Sequence, residues 1–179
     1  MATTIRLATA ADVPQILDFI RALAEYERAP EGAVTATGEG LLRDGFGPYP
    51  FYECLIADHD GEPAGFALYF FNYSTWKGQP GIYLEDLFVR PEMRGLGIGK
   101  TLLQRVAAAA LEKGCRRMQW EVLDWNTPAV NFYRAMGAEF LDEWRNVRLE
   151  GSPLASLARG RDPSAKDASP QRKPAETVS

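Results

Sequence analysis

The residues able to do chemistry in this chain crowd into three places. The first is Val89-Arg90-Pro91-Glu92-Met93-Arg94-Gly95-Leu96-Gly97-Ile98-Gly99-Lys100, where a strand ends, the chain turns through three glycines and a helix begins. Backbone N–H groups at a helix start lack intrahelical partners and point outward, and the helix dipole adds partial positive charge there. Glycines permit positive φ and close approach of an anion. The segment reads as a pyrophosphate cradle, with Arg94 and Lys100 adding charge; a plain glycine-rich strand-to-helix turn is the alternative. It has neither the GK[ST] spacing of a P-loop nor the placement of a dinucleotide fingerprint. The second place is Glu85-Asp86, in the middle of the otherwise apolar strand IYLEDLFV. Neighbouring strand residues point to opposite faces, so one wet surface cannot solvate both, and buried carboxylates are costly unless paired or working. Either a bulge lets both reach water or donors, or one of them handles a proton or a cation. The third is Tyr133, in the first two turns of a helix that follows Trp125-Asn126-Thr127-Pro128; taken alone it reads as a core aromatic.

The elements that must position these residues follow from periodicity. Residues 4–8 form a short strand. Val13, Ile16, Leu17, Ile20, Leu23 and Ala24 recur at helical spacing, so 11–28 is an amphipathic helix closed by Pro30 and Gly32. A weaker helix is expected over 37–45. Strands 51–58 and 63–74 flank a turn at His59-Asp60-Gly61-Glu62. A loop over Thr75–Gly81 leads to a strand at 82–89, then to a helix at 98–113 that Gly114 stops. Residues 116–123 alternate as a strand. Asn126 suits an N-cap and Pro128 a helix's first turn, and 139–149 read as a final strand. The order β-α-(α)-β-β-β-α-β-α-β predicts a mixed sheet with helices on both faces. Residues 159–179 have one large aliphatic side chain and no aromatic one, and are expected to form a disordered tail.

Composition bounds the function. The chain has 179 residues, enough for one domain that hides roughly 70% of its unfolded surface. Of 20 basic and 24 acidic residues, five and three fall in 159–179, leaving 15 against 21 in residues 1–158. That acidic body does not suit a phosphate-backbone binder; it suits a cationic small substrate or a solvated acidic surface. No apolar run approaches the length of a membrane span. The start MATTIRLATA lacks a basic segment followed by a long apolar one, so a cytosolic location is expected. Cys54 and Cys115 read as two packed free thiols without zinc-ligand spacing. His59 is the only histidine and falls in the predicted hairpin turn, which removes Ser-His-Asp and Cys-His chemistry.

Taken together, Arg94-Gly95-Leu96-Gly97-Ile98-Gly99, the strand before it and the Asn126-to-Tyr133 segment resemble the GNAT superfamily of acyl-CoA N-acyltransferases, over about residues 4–149. Ser74-Thr75-Trp76-Lys77-Gly78, Ile82-Tyr83-Leu84-Glu85-Asp86, Lys113-Gly114-Cys115 and Val122-Leu123-Asp124-Trp125-Asn126 are similar to the diamine acetyltransferase subfamily, and within it to the thialysine Nε-acetyltransferase branch. The resemblance implies a mixed, mostly antiparallel GNAT-like α+β sheet forming a single domain over 1–158, and a homodimer with 139–149 at the interface and acceptor sites shared between chains. It implies acetyl-CoA as co-substrate and no metal. Leu87, Phe88 and Val89 would pair by backbone with the pantetheine arm, with the Leu87 N–H facing the thioester oxygen. Arg94, Gly95, Leu96, Gly97, Ile98, Gly99 and Lys100 would hold the pyrophosphate, and Asn126, Thr127, Pro128 and Ala129 would also contact CoA. Tyr133 would be the general acid, and Tyr26, Glu27, Trp76, Glu85 and Asp86 would line the amine side. The position two before Trp76, acidic in the polyamine enzymes, is Ser74 here, which favours a smaller amine or an amino acid with a terminal amine.

The implied chemistry suits these residues. A lysine-like amine titrates near 10.4 and must lose a proton before attack, a task for Glu85. A strand N–H would meet the oxyanion, and Tyr133 would protonate the leaving thiolate. Trp76 and Trp125 offer cation–π faces for an ammonium, with packing alone as the alternative for Trp125. Two rival readings keep the scaffold: an acceptor that is a protein N-terminus or lysine, and a non-catalytic acyl-CoA-binding regulator.

Overall fold

Alternating apolar residues in the first half of the chain assemble a sheet whose two faces bury different helices. In the computed structural model, which describes residues 2–161, the chain divides into two compact units, Met1–Val130 and Asn131–Ser179. The first unit opens with β1 (Thr3–Leu7), a 3-10 turn (Ala10–Asp12), α1 (Val13–Tyr26) and α2 (Gly38–Phe46). Then come β2 (Glu53–His59), β3 (Glu62–Ser74), β4 (Gln79–Val89), α3 (Ile98–Glu112) and β5 (Met118–Gln119). α4 (Thr127–Ala135) starts in this unit. Sheet order is β1-β2-β3-β4-β5. The first four strands form an antiparallel meander, and β5 runs parallel to β4.

Period-two alternation sorts the core. Cys54 and Ile56 of β2, Phe66 and Leu68 of β3 and Phe88 of β4 face one side, where Ile16 and Phe19 of α1 and Leu41 and Phe46 of α2 pack on them. Leu55, Ala57, Ala67, Tyr69 and Leu84 are buried on the other side, the one carrying Leu102, Leu103 and Val106 of α3. The predicted mixed, mostly antiparallel sheet with helices on both faces is the architecture found. The hairpin between β2 and β3 turns on two residues, Asp60 (φ 51) and Gly61 (φ 87), the paired positive φ of a type I′ turn. His59 sits at its base, with Nδ1 2.8 Å from Thr3 Oγ1. Both cysteines are free and buried.

α1 is anchored at its start by ionic contacts. The Asp12 carboxylate takes both ends of the Arg6 guanidinium fork at 2.8 Å and the backbone N–H and hydroxyl of Thr9 at 2.7 and 2.9 Å. Arg6 Nε reaches on to Asp58 at 2.9 Å. α2 starts on Thr37, whose Oγ1 accepts from the Gly40 N–H at 3.1 Å.

Four boundaries depart from expectation. β4 begins at Gln79, where 75–81 was expected to be loop, because Gln79 and Pro80 already pair with Ser74 and Tyr73; only 75–78 form the turn. β5 shrinks from the expected 116–123 to two residues, since only Ile82 and Tyr83 of β4 pair with it. In the second unit, residues 139–149 are not a strand. A strand requires a ladder partner, and none is present among the described residues of that unit; Leu141 instead takes the Trp144 N–H in a turn. α5 (Gly151–Ala158) follows, a helix absent from the predicted order. Its signal was Pro153 in a first turn followed by good helix formers. The tail expected over 159–179 lies, from residue 162 on, outside the described residues.

Candidate active site

The conflict between Glu85 and Asp86 is resolved by the backbone. β3 and β4 pair in register up to Leu68↔Asp86, and the next pair is Tyr69↔Leu84. Glu85 is the extra residue of a β-bulge, a device that re-aims side chains next to functional sites. Asp86 then shares the α1 face with its partner Leu68, while Leu84 is buried on the α3 face. Glu85 is exposed and Asp86 half-buried. Burial, reinforced by the charges of Glu85 and Glu27, pushes the Asp86 carboxyl up to about 7. Glu85 also acts on Tyr83, whose hydroxyl donates to Glu121 at 2.7 Å and which burial holds above the ordinary phenol range. The bulge thus gathers Glu85 and Asp86 into a neighbourhood with Glu27 from the end of α1 and Glu121 from beyond β5, a surface suited to a cation.

The same strand offers a backbone edge. Leu87, Phe88 and Val89 pair with Ala67, Phe66 and Gly65 on one side. On the other side β5 reaches only Ile82 and Tyr83, so from Leu84 onward the outer edge of β4 has no strand partner among the described residues. Unpaired edge N–H and C=O groups are a template for an extended ligand. Directly after it, Gly95 (φ 80) and Gly97 (φ 79) turn in the left-handed region, where any side chain would be strained. A Cβ at either would meet nothing within 4 Å, so the turn is open. Gly99 differs: its φ is not positive, and a Cβ would make ordinary contact, 3.6 Å from Val89 Cγ2. α3 begins at Ile98, whose buried side chain fixes the helix start. Gly97 C=O is taken by Thr101, leaving the N–H groups of the first turn without intrahelical partners. Leu96 and Lys100 are exposed beside them. The open glycine turn, the helix start and the unpaired edge fit a group with an extended amide arm and a pyrophosphate.

Arg94 ties this turn to the end of α1. Its guanidinium lies 4.2 Å above the Tyr26 ring and its Nε donates to Val89 C=O at 3.1 Å. The Tyr26 hydroxyl donates to Asn126 Oδ1 at 3.0 Å, and the same oxygen caps α4 by accepting the Ala129 N–H at 3.3 Å. The expected N-cap role of Asn126 is therefore found, with a tertiary bond added. Trp125 lies 6.2 Å from Tyr26, centroid to centroid, and its face is covered by Arg28 at 4.6 Å; the cation over Trp125 belongs to the chain itself. Thr127 and Pro128 are exposed and Ala129 half-buried. Tyr133 is buried in the second unit, 5.3 Å from the Phe132 ring.

The structure thus brings together Tyr26, Glu27, Glu85, Asp86, Arg94 and Asn126, but not Trp76. That side chain is 88% exposed on the β3–β4 turn, and Gln79 and Glu85 are six strand steps apart, about 20 Å of chain. Ser74 is buried and caps the same turn, its Oγ accepting from the Lys77 N–H at 3.3 Å. Sequence reasoning passed over Arg28 and Glu121. Glu121 was visible as the polar phase of the 116–123 alternation; Arg28 gave only the signal of a cation at a helix end.

The sequence model described as acetyltransferase (GNAT) family matches residues 20–138. A thialysine N-epsilon-acetyltransferase of Bos taurus is 47% identical over 165 residues, 86% of this chain and 96% of that protein. An L-ornithine N5-acetyltransferase of Arabidopsis thaliana is 34% identical over 202 residues, 88% of each. Among solved structures, an integron cassette protein from V. cholerae superposes with a TM-score of 0.73 at 27% identity, over 89% of this chain and 99% of that one.

Proposed function

Because the chain belongs to the GNAT acetyltransferase family, we propose that it moves an acetyl group from acetyl-CoA to the terminal primary amine of a small molecule, a thialysine- or lysine-like amino acid or a diamine. The observation that carries this reading is the bulge at Glu85, which sets that residue outside the ladder next to Asp86, on a strand whose outer edge has no partner from Leu84 onward among the described residues. When bound, acetyl-CoA supplies an acetyl group activated as a thioester. The edge Leu87–Val89 takes its arm, the turn and helix start Arg94–Lys100 take its pyrophosphate, and Asn126–Ala129 flank the arm.

Each residue then has a task. Glu27 and Glu85 draw the ammonium in. The Glu85–Asp86 pair takes its proton; Asp86, near 7, holds a proton close to the operating pH, as a general base should. The Leu87 N–H meets the oxygen that gains charge. Tyr133 gives a proton to the departing sulfur. Arg94 leaves the Tyr26 ring for the phosphates, so the same guanidinium serves both ends of the site. No metal is needed for these steps. We further propose a cytosolic homodimer of one-domain chains, residues 1–158, in which exposed Trp76 on the β3–β4 turn serves the acceptor site of the second copy. Exposed Phe71 and Tyr73 on the same hairpin support that contact.

The test is an initial-rate assay with acetyl-CoA over thialysine, lysine, ornithine, putrescine, spermine and a peptide with a free N-terminus. Turnover of the amino acids or putrescine above spermine and the peptide is expected. A protein-type acceptor as the sole substrate would overturn the reading.

A further inference from the structure

Arg28 occupies a backbone site that favours glycine. Its N–H bonds Glu25 C=O at 3.0 Å and the Ala29 N–H bonds Ala24 C=O at 2.9 Å, the paired contacts of a Schellman end to α1, with Arg28 at the left-handed position (φ 58). A side chain there is strained, and strained residues that persist cluster at working sites. The side chain has a definite place. Its guanidinium carbon sits over the Trp125 ring, 4.6 Å from the centroid. A guanidinium over an aromatic ring keeps an N–H edge that can take a carboxylate in two parallel bonds. No ion pair among the described residues engages that edge.

The surroundings say which carboxylate it would take. Arg28 follows Glu27, whose charge acts on Asp86, so the cation and one member of the acidic group leave adjacent backbone positions. Trp125 under it packs on Tyr26 at 6.2 Å. A fixed cation beside a carboxylate cluster complements a molecule carrying an ammonium at one end and a carboxylate at the other. It opposes a molecule with ammonium groups at both ends.

We propose that Arg28 is the carboxylate anchor of the acceptor site and selects amino acids over diamines. The terminal amine of the acceptor enters between Glu85 and Asp86 while its α-carboxylate pairs with Arg28. This rests on the amine-acceptor reading above.

The experiment compares lysine with cadaverine, and ornithine with putrescine, pairs that differ only by the carboxylate. Arg28→Gly is the informative variant because glycine suits the left-handed position and preserves the helix end; its melting temperature should equal or exceed that of the wild type. It should raise KM for lysine and ornithine about 10- to 100-fold, the usual loss of a charge-assisted pair. KM for cadaverine and putrescine should fall, since a like charge is gone. Arg28→Lys should restore part of the amino-acid KM as a point charge. Equal changes for amino acid and diamine, a change confined to the KM of acetyl-CoA, or no change would overturn the anchor and leave amine acetylation standing. A wild type that acetylates neither member of either pair would overturn the amine-acceptor reading, and the anchor with it.

Discussion

Asp12 and Asp86 are both shielded aspartates on the α1 side of the sheet, and both act on the thiol of Cys54, which burial and their charges push up to about 12. Their fates are opposite. The Arg6 guanidinium, helped by two bonds from Thr9 and opposed by burial, holds the Asp12 carboxyl well below the usual range. Asp86 is raised by burial and by two further carboxylates, Glu85 and Glu27, with no cation among the causes. One site is a finished structural knot, in which every carboxylate oxygen has a donor. The other concentrates like charge, which costs stability and is useful only if a cation arrives. The difference separates a cluster that holds the fold from one that the proposed reading sets to work on a ligand.

The sharpest way to break that contrast is turnover. Asp86→Asn keeps the shape and removes the proton site, so kcat/KM should fall by about 10²–10⁴ if the pair performs general-base work. Glu85→Gln should fall in the same direction, most steeply at low pH, where the amine is most fully protonated. Asp12→Asn should leave kcat/KM within about twofold at temperatures where it is folded. Initial rates with saturating acetyl-CoA from pH 6 to 9 decide the matter. If Asp86→Asn turns over normally, the raised carboxylate is a packing accident and the contrast loses its functional half.

The next effect is on stability, and it reverses the ranking. Asp12→Asn removes charge-assisted bonds to Arg6 and weakens the start of α1. Because Arg6 is 44% exposed, screening limits the loss to about 1–2 kcal/mol, a drop of several degrees in Tm for a chain of this size. Asp86→Asn relieves repulsion and should raise Tm at neutral pH. A lower Tm in Asp86→Asn would mean that its carboxylate has a stabilising partner.

How much of this was readable beforehand depends on the range of the interaction. The glycine turn was legible because glycine spacing reports local backbone conformation, and Gly95 and Gly97 have the positive φ it called for; Gly99 does not. The clash at Glu85-Asp86 was also legible, but not its resolution, because the bulge is a register shift against β3, some seventeen residues away. The Tyr26–Asn126 bond joins residues 100 apart, and no local pattern reports it. The strand expected at 139–149 failed for the same reason in reverse: Phe140, Trp144, Val147 and Leu149 have strand-like composition, but a strand exists only with a partner. Trp76 could be assigned by motif to the amine side, yet a motif carries no information about which hairpin end it occupies.

The smallest expected effect is the shape of stability against pH, and here the two aspartates should bend the curve in opposite directions. Asp12 is depressed when folded, so its contribution is complete above its unfolded pKa, about 3.9, and is lost as pH falls toward the folded value. Asp86 is raised when folded, so the folded state binds the extra proton between about 4 and about 7. Stability therefore declines as pH climbs through that window and levels off above it. Removing each charge should expose its own window. The Tm deficit of Asp12→Asn should shrink as pH falls below about 4, while the Tm gain of Asp86→Asn should grow from about pH 4 to about pH 7 and then hold. Thermal melts of the wild type and both variants at half-unit steps from pH 3 to 8 measure both windows on one protein. Parallel curves would show that neither carboxyl is shifted, and a gain for Asp86→Asn that shrinks with rising pH would show that its proton is held more weakly in the fold than in the unfolded chain.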